Sequence, residues 1–529
     1  MKKKKKIKKI WFVTREYDGL AGAGGVKDVC RQLAEALAVH ASVTVVMPCY
    51  GFMNPKELGF RPAGRLSVAM NYAAEERHEE VEFWRRKERL ASDGGKLTIF
   101  LADAQRFQEK QGVYTYTAED ELLNPLHISG QGHDDYFAMN VLLQKAALCL
   151  MMEKNKRPQI IHCHDGHTAL IPALVRERDG FRHFFHATGL VVTIHNAGIG
   201  YHQEVGDLDF AQAITGLPRS FIGKNLLGGD FDPFIAAAPH AEINTVSENY
   251  AHELRATEAD ELTGWLGHFL MTRGCKLRGI TNGIDPLCFD TREPEDLQLA
   301  ASFSVAEGEM AGKAVCREAL SELLEGELAQ VERTGTLAPR PEQPLLTFIG
   351  RFSAQKGVDK LVKALHVLLA ADPDFQVVIL GSGQADIALG LRSLAADGAH
   401  GGRICLLEGF DQVLAGQIYA AGDFFIIPSQ YEPCGLTDFI AQLHGNLPIV
   451  HHVGGLVKVE EGETGFAYAE HSSLALIEAV EDALATFRER PEKIMAMRRA
   501  AVERIAEKYT WAKVSEHYLE LYGEALCND

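Results

Sequence analysis

The chain has 529 residues, 46% hydrophobic and 24% charged, which is enough to bury sizeable cores in two large α/β domains or in three to four domains of about 150 residues. Its formal net charge of −18 argues against a nucleic-acid or anionic-membrane binder, and no apolar run approaches the roughly 18 residues of a membrane helix.

In chain order, MKKKKKIKKI reads as a solvated lysine tail, because the apolar stretch Ile10–Val13 is too short for a signal-peptide core. The strands of the first half read KKIWFVTRE, SVTVVMP, KLTIFLAD, QIIHCHD, GLVVTIHN and AEINTVSE. Between the first two, Val26, Val29, Cys30, Leu33 and Leu37 follow helical spacing. Residues 286–343 are mixed: a helical stretch through SELL precedes GELAQVERTGTLAPRPEQP, which reads as a linker or surface loop. The strand pattern then restarts with PLLTFIGR, FQVVILGS, RICLLEG, FFIIPS and LPIVHH, and three helices follow Ser472, the last over roughly Trp511 to Leu526. Near-continuous apolar strands joined by helices imply parallel sheets covered on both faces, so the expectation is two doubly wound α/β domains. The ten cysteines, scattered from Cys30 to Cys527 without a CxxC pair, fit a reducing cytoplasm.

Ligands of such sheets bind beyond the carboxyl ends of strands, so the polar and glycine residues there are the candidates, and they place one site in a cleft between the domains. The loop DGLAGAGGVKDV opens a helix and suits a phosphate or sugar, with a plain tight turn as the other reading. It fails the dinucleotide fingerprint because Lys27 occupies the third glycine position, and GSGQAD fails likewise at Asp386. The run His162-Cys163-His164-Asp165-Gly166-His167 offers metal ligands, yet its aspartate stands one position too early for the dinuclear hydrolase pattern, which favours His164 as a cleft-lining residue. His195-Asn196 ends the next strand, and Asn282 sits in an NGID turn where one half hands over to the other. In the second half, Arg351 at a strand end and Lys356 at a helix start would clamp a phosphate, against the alternative of a solvated pair. Glu432 follows a strand beside Gly435, Leu436 and Thr437, a carboxylate next to peptide N–H groups that suits sugar hydroxyls plus a diphosphate.

Taken in order, TRE…GAGGVKDV, IIHCHDGHTALIPALV, VVTIHNAG, AEINTVSENYAHEL, GITNGIDP, GRFSAQKGVDKLVKAL, VVILGSG and DFFIIPSQYEPCGLTDFIAQLHGNLPIV, followed by GGL and TGFAY, resemble the bacterial glycogen/starch synthase family over roughly residues 8–515. The resemblance implies the GT-B fold, two Rossmann-like domains facing a central cleft. It places an acceptor and catalytic domain over 1–290, a nucleotide-sugar-binding domain over 291–505, and a helix over 506–529 that packs back on the first domain. It further implies retaining transfer of glucose from ADP-glucose to the non-reducing 4-hydroxyl of an α-1,4-glucan such as glycogen. By motif, Arg351 and Lys356 would neutralise the leaving phosphate, Glu432 would bind glucose hydroxyls or support the transition state, and His164 would contact the sugar. Asp28 and Asn282 would complete the sugar and acceptor side, Gly24 and Gly25 would approach the diphosphate, Cys434, Gly435, Leu436 and Thr437 would form the donor loop, and Phe410 would stack on adenine. No metal or other cofactor is called for. Three departures stand out: Gly22 replaces the family's loop lysine, Gly166 replaces the tryptophan of HDWH, and Val457-Lys458 follow GGL in place of the usual aspartate. They leave UDP-glucose as an alternative donor and a catalytically weak glucan-binding relative as an alternative function. Lys27, in the first turn of the following helix, has a stem long enough to bring its ammonium to the glycine loop, against the plainer reading that it points to solvent.

Overall fold

In the computed structural model, which describes residues 6–72, 75–90 and 95–527, every apolar run picked out above forms a strand. Lysines 2–5 lie outside the described residues; Lys6, Lys8 and Lys9 are exposed.

The chain divides into two units, one of residues 1–283 with 511–529 and one of residues 284–510. In the first, β1 (Lys9–Val13), β2 (Ser42–Pro48), β5 (Lys96–Asp103), β6 (Ile160–His164), β7 (Gly189–Ile194), β10 (Glu242–Thr245) and β11 (Arg278–Gly279) run parallel. β3 (Arg61–Ala69) and β4 (His78–Glu88) join antiparallel at one edge, giving the order β11-β10-β7-β6-β1-β2-β5-β4-β3, while β8 (Leu226–Leu227) and β9 (Asp230–Phe231) form a separate hairpin. β6 and β7 are buried at every residue, as both-face coverage requires, whereas β3 is mostly exposed and so carries no apolar run to find. The Val26–Ala38 helix buries Val29, Cys30, Leu33 and Leu37, the stripe its spacing specifies. The Trp511–Ala525 helix belongs to this unit: its indole N–H donates to Gln32 at 2.6 Å, and Tyr522 Oη lies 2.8 Å from His162 Nδ1.

The second unit has seven strands in the order β12-β15-β14-β13-β16-β17-β18. β13 (Leu345–Ile349), β14 (Gln376–Gly381), β15 (Arg403–Gly409), β16 (Phe424–Ile427), β17 (Leu447–His451) and β18 (Phe466–Tyr468) are parallel. β12 (Val331–Leu337) corrects the linker reading: VERTGTL pairs antiparallel with β15 along its whole length. As an edge strand it buries only Val331 and Leu337 fully, so its composition reads as polar loop.

The divisions fall at Gly283–Ile284 and Thr510–Trp511, a few residues from the expected 290 and 505. Ile284 donates its N–H to the Tyr509 carbonyl at 2.8 Å and forms a parallel bridge with Thr510, and Ile505 packs with Phe439 and Leu443. The residues on either side of both nominal boundaries are therefore part of the second unit's own structure.

Candidate active site

Strand order reverses at β1 in one sheet and at β13 in the other, and at such reversals the loops splay apart and leave room for a ligand. Most of the candidate residues lie at these two points, β1/β6 and β13/β16; Phe410 follows β15 and Asn282 follows β11.

At β13/β16, Arg351 follows β13; it is exposed and makes no hydrogen bond or ion pair to a described residue. The chain can turn there because Gly381 and Gly383 press on it: a Cβ at Gly381 would stand 1.8 Å from the Gly350 carbonyl oxygen, and one at Gly383 2.2 Å from that of Phe352. Lys356 lies one residue before Gly357, whose φ of +68° and contact with the Pro428 carbonyl demand glycine. Its ammonium donates to Glu432 Oε2 at 2.6 Å, and the Ser429 hydroxyl donates to the same oxygen at 3.0 Å. Burial alone would raise the Glu432 carboxyl; Lys356 above all, then Ser429 and Lys458, outweigh it and hold the group below its usual value, so Glu432 is a carboxylate. The loop continues through buried Cys434 and Gly435, at φ +72°, to Leu436 and the Thr437–Leu443 helix. Beneath it, a Cβ at Gly454 would meet the Glu432 carbonyl oxygen at 2.0 Å and one at Gly455 the Cys434 carbonyl at 2.0 Å, so the two glycines of GGL form the floor of this loop. Asp438, fully buried, has its carboxyl raised to about 6 by burial against the opposing pull of Lys458. Phe410, after β15, exposes 70% of its surface.

At β1/β6, the glycine loop closes onto Glu16, a buried residue that the sequence reading passed over although it stands within the quoted TRE. Its Oε2 accepts from the N–H of Ala23 at 2.7 Å and of Gly24 at 3.1 Å, and Tyr114 donates its hydroxyl to Oε1. Burial raises the Glu16 carboxyl despite these bonds. The Gly24 amide is thus spent on this carboxylate, and Gly25 caps the Val26–Ala38 helix without a side-chain partner. Lys27 does not point freely to solvent. A Cβ at Gly22 would stand 2.4 Å from its Cδ, so the stem lies across Gly22, and its ammonium donates to Asp18 at 3.1 Å and to Asp28 at 2.9 Å.

His162 and His164 share one face of β6 but differ in their partners. His162 is structural, with Nε2 2.7 Å from the Thr193 hydroxyl and Nδ1 on Tyr522. His164 Nδ1 lies 2.9 Å from His195 Nε2, while its Nε2 is buried with no partner among the described residues. Burial holds the His164 imidazole well below its usual range and that of His195 down to about 3, so both are neutral. Cys30 with His164 and His195 brings three metal-ligating atoms within 4.8 Å of one another, but burial pushes the thiol far up and the two imidazoles already bond each other. Asp165, with φ +58°, accepts from the N–H of His195 at 2.6 Å and of Asn196 at 3.3 Å, locking β6 to the end of β7. Gly166 is explained by close approach: a Cβ there would be 2.2 Å from the His202 carbonyl oxygen, so the tryptophan of the resembling motif does not fit this backbone. Asn282 is buried, its Oδ1 without a partner among the described residues. His164 Nε2 and Asn282 Oδ1 are therefore two orphaned polar atoms among the expected sugar contacts.

The chain is similar to known proteins over nearly its whole length. The family model described as starch synthase catalytic domain matches residues 9–268, and that of glycosyl transferases group 1 matches residues 343–486. The chain is 32% identical to a glycogen synthase of Anaeromyxobacter dehalogenans over 97% of this chain and 98% of that one. It is 30% identical to one of Photobacterium profundum over 98% and 97%. In fold it is similar to the catalytic domain of starch synthase IV from Arabidopsis thaliana bound to ADP and acarbose, with a TM-score of 0.77, 24% identity, and coverage of 99% of this chain and 100% of that chain.

Proposed function

The chain belongs to the glycogen synthase family of GT-B glycosyltransferases, and on that premise we propose that it transfers glucose from ADP-glucose to the non-reducing 4-hydroxyl of an α-1,4-glucan with retention at the anomeric carbon. It is a glucosyltransferase that takes a nucleotide-sugar donor and a glucan acceptor; ADP as the nucleotide and the residue roles below are the proposal. The observation that carries it is the β13/β16 cluster: an uncommitted guanidinium at Arg351 and an ammonium at Lys356 held beside the ionised Glu432.

As the anomeric C–O bond breaks, charge grows on the distal phosphate, and cations fixed in place beforehand stabilise it without reorganising. Arg351 suits a bidentate grip on phosphate oxygens and Lys356 a point contact. Glu432 then takes sugar hydroxyls as an acceptor, its ionised state suiting a positively polarised glucosyl group. His164 and His195, being neutral, act as hydrogen-bonding groups rather than as cations. Asn282 Oδ1 and His164 Nε2 take their missing partners from sugar hydroxyls. Gly25, the Gly435–Thr437 amides and the exposed Phe410 complete diphosphate and adenine recognition, and Asp28 orders Lys27 at the loop. The Glu16–Gly24 bond limits the part Gly24 plays. All ten cysteines are free, and no helix of the described residues is long and apolar enough to cross a membrane, which supports a cytoplasmic site of action.

The test is a donor panel of ADP-, UDP- and GDP-glucose with glycogen, with and without chelator. Glucan elongation from ADP-glucose, insensitive to chelator, is expected; a preference for UDP-glucose would reassign the donor, and glycogen binding without transfer would reduce the protein to a glucan-binding relative.

A further inference from the structure

One departure from the resembling motifs lies directly under the donor loop. Lys458, where GGL is ordinarily followed by aspartate, has a side chain only 5% exposed. Its ammonium donates to the carbonyl oxygens of Cys434 at 2.5 Å, Gly435 at 2.9 Å and Gly455 at 3.0 Å, pairs with Asp438 Oδ2 at 3.1 Å, and lies 4.5 Å from the centre of the Phe439 ring. A buried cation with this many fixed acceptors is not a surface lysine folded inward. It ties two consecutive peptide groups of the loop to the loop's own glycine floor.

The geometry of the peptide group gives this tie a direction. A trans peptide carries its C=O and N–H on opposite sides, and no described peptide bond is cis. Drawing the carbonyls of Cys434 and Gly435 onto one ammonium therefore turns the N–H groups of Gly435 and Leu436 the other way. Consecutive carbonyls can share a side here because Gly435, the residue between them, is left-handed at φ +72°; Leu436, next along, is right-handed at φ −116°, ψ −26°. That alternation makes successive N–H groups converge on one point, a concavity suited to an anion. Neither N–H has an acceptor within the described chain.

We propose that Lys458 is a positioning residue for the donor, anchoring the carbonyl side of the Cys434–Leu436 peptides so that their N–H groups converge on the diphosphate of the nucleotide sugar. The inference rests on the donor-site reading above. It assigns Lys458 no contact with substrate; Asp438 is the counter-ion that makes the buried ammonium tolerable.

The experiment measures ADP binding by calorimetry, melting temperature, and steady-state kinetics for the full chain and for Lys458→Met, Asp438→Asn and the double variant. Lys458→Met leaves a buried carboxylate unpaired, so it lowers the melting temperature as well as ADP affinity. The double variant removes that unpaired charge and regains most of the melting temperature, yet binds ADP roughly tenfold or more weakly and raises the donor KM alike, because the N–H groups are no longer held. Its glycogen KM stays within about twofold of wild type, a split that general unfolding does not produce. Asp438→Asn keeps the lysine and binds ADP no more weakly than wild type, a measurement that stands even if the double variant fails to fold. Wild-type ADP affinity in the double variant, or a loss in Asp438→Asn equal to that in Lys458→Met, overturns the inference. A wild-type protein that transfers glucose while the double variant matches its donor KM removes only the role of Lys458; a wild-type protein that binds neither ADP nor UDP removes the donor-site reading and this inference with it.

Discussion

Replacing Lys356 with alanine separates a phosphate clamp from an ordinary ion pair. The ammonium lies 2.6 Å from Glu432 Oε2, with side-chain exposures of 27% and 14%, so the pair is neither a surface contact nor fully dry. Exposed pairs contribute about 0–1 kcal/mol, whereas breaking a buried one costs about 3–5 kcal/mol, which puts the stability loss here at about 1–3 kcal/mol. For a unit the size of residues 284–510 that lowers the melting temperature by roughly 2–4 °C per kcal/mol. The effect on turnover is of another order. If the same ammonium meets the charge that develops on the leaving phosphate, its removal costs about 2.7–4 kcal/mol of transition-state stabilisation, or roughly 100- to 1000-fold in kcat. The loss falls mainly on kcat, because that charge is small in the ground state. Steady-state transfer from ADP-glucose to glycogen, with thermal melts of the same preparations, reads both quantities. Lys356→Ala protein that keeps turnover within about threefold of wild type, less than a single charge-assisted contact is worth, would remove Lys356 from the mechanism and take the clamp with it.

Three further outcomes are expected. Lys27→Ala raises the donor KM or lowers kcat roughly tenfold, worth about 1.4 kcal/mol, and adding Gly22→Lys restores activity, since the Lys27 stem occupies the space a Gly22 side chain needs; unchanged kinetics in Lys27→Ala assign the lysine to its bonds with Asp18 and Asp28 alone. Gly166→Ala costs about 1–3 kcal/mol and lowers activity, because the new Cβ drives the His202 backbone away beside His164; an unshifted melt would show that the close approach is not tight. Burial raises the Asp165 carboxyl from 3.8 to about 7, so the fold favours its protonated form: its contribution is complete below about pH 4 and is lost as pH rises through 7. Asp165→Asn therefore gains melting temperature relative to wild type at pH 8 compared with pH 5, and a pH-independent difference would contradict that environment.

Periodicity and strand runs were enough to place both parallel sheets, because strands buried on two faces announce themselves by unbroken apolar stretches. β3, β4 and β12 escaped for the opposite reason. Each lies at or next to an edge, buries few of its residues, and carries charges such as Glu79, Glu82 and Glu332 at intervals that look like loop. In the candidate site, Arg351, Lys356 and Glu432 were legible because chemistry needs those residue types at strand ends. Glu16 and Asp165 were not, since a buried carboxylate that accepts backbone N–H bonds reads as an ordinary acid until the loop around it is seen. Lys458 was visible only as a mismatch; its meaning lies in three carbonyl oxygens, which no sequence displays. Gly166 likewise looked like a lost tryptophan and is a site of backbone contact with His202.

The return of the Trp511–Ala525 helix to the first unit also bears on the order in which this chain matures during synthesis. Domains generally complete themselves as they emerge, the earlier one first. Here the earlier unit cannot: the faces around His162 and Gln32 lack their cover until the helix bearing Trp511, Tyr518 and Tyr522 has been made. The unit of residues 284–510 is continuous and already has everything it needs, including the Ile284–Tyr509 bond that closes its two ends. The later-encoded unit is therefore the first able to reach its native state, and the apolar strands β6 and β7 must wait in a partly covered condition. A nascent chain stalled before residue 511 should recruit holding chaperones to its amino-terminal half while its downstream half is already protease-resistant.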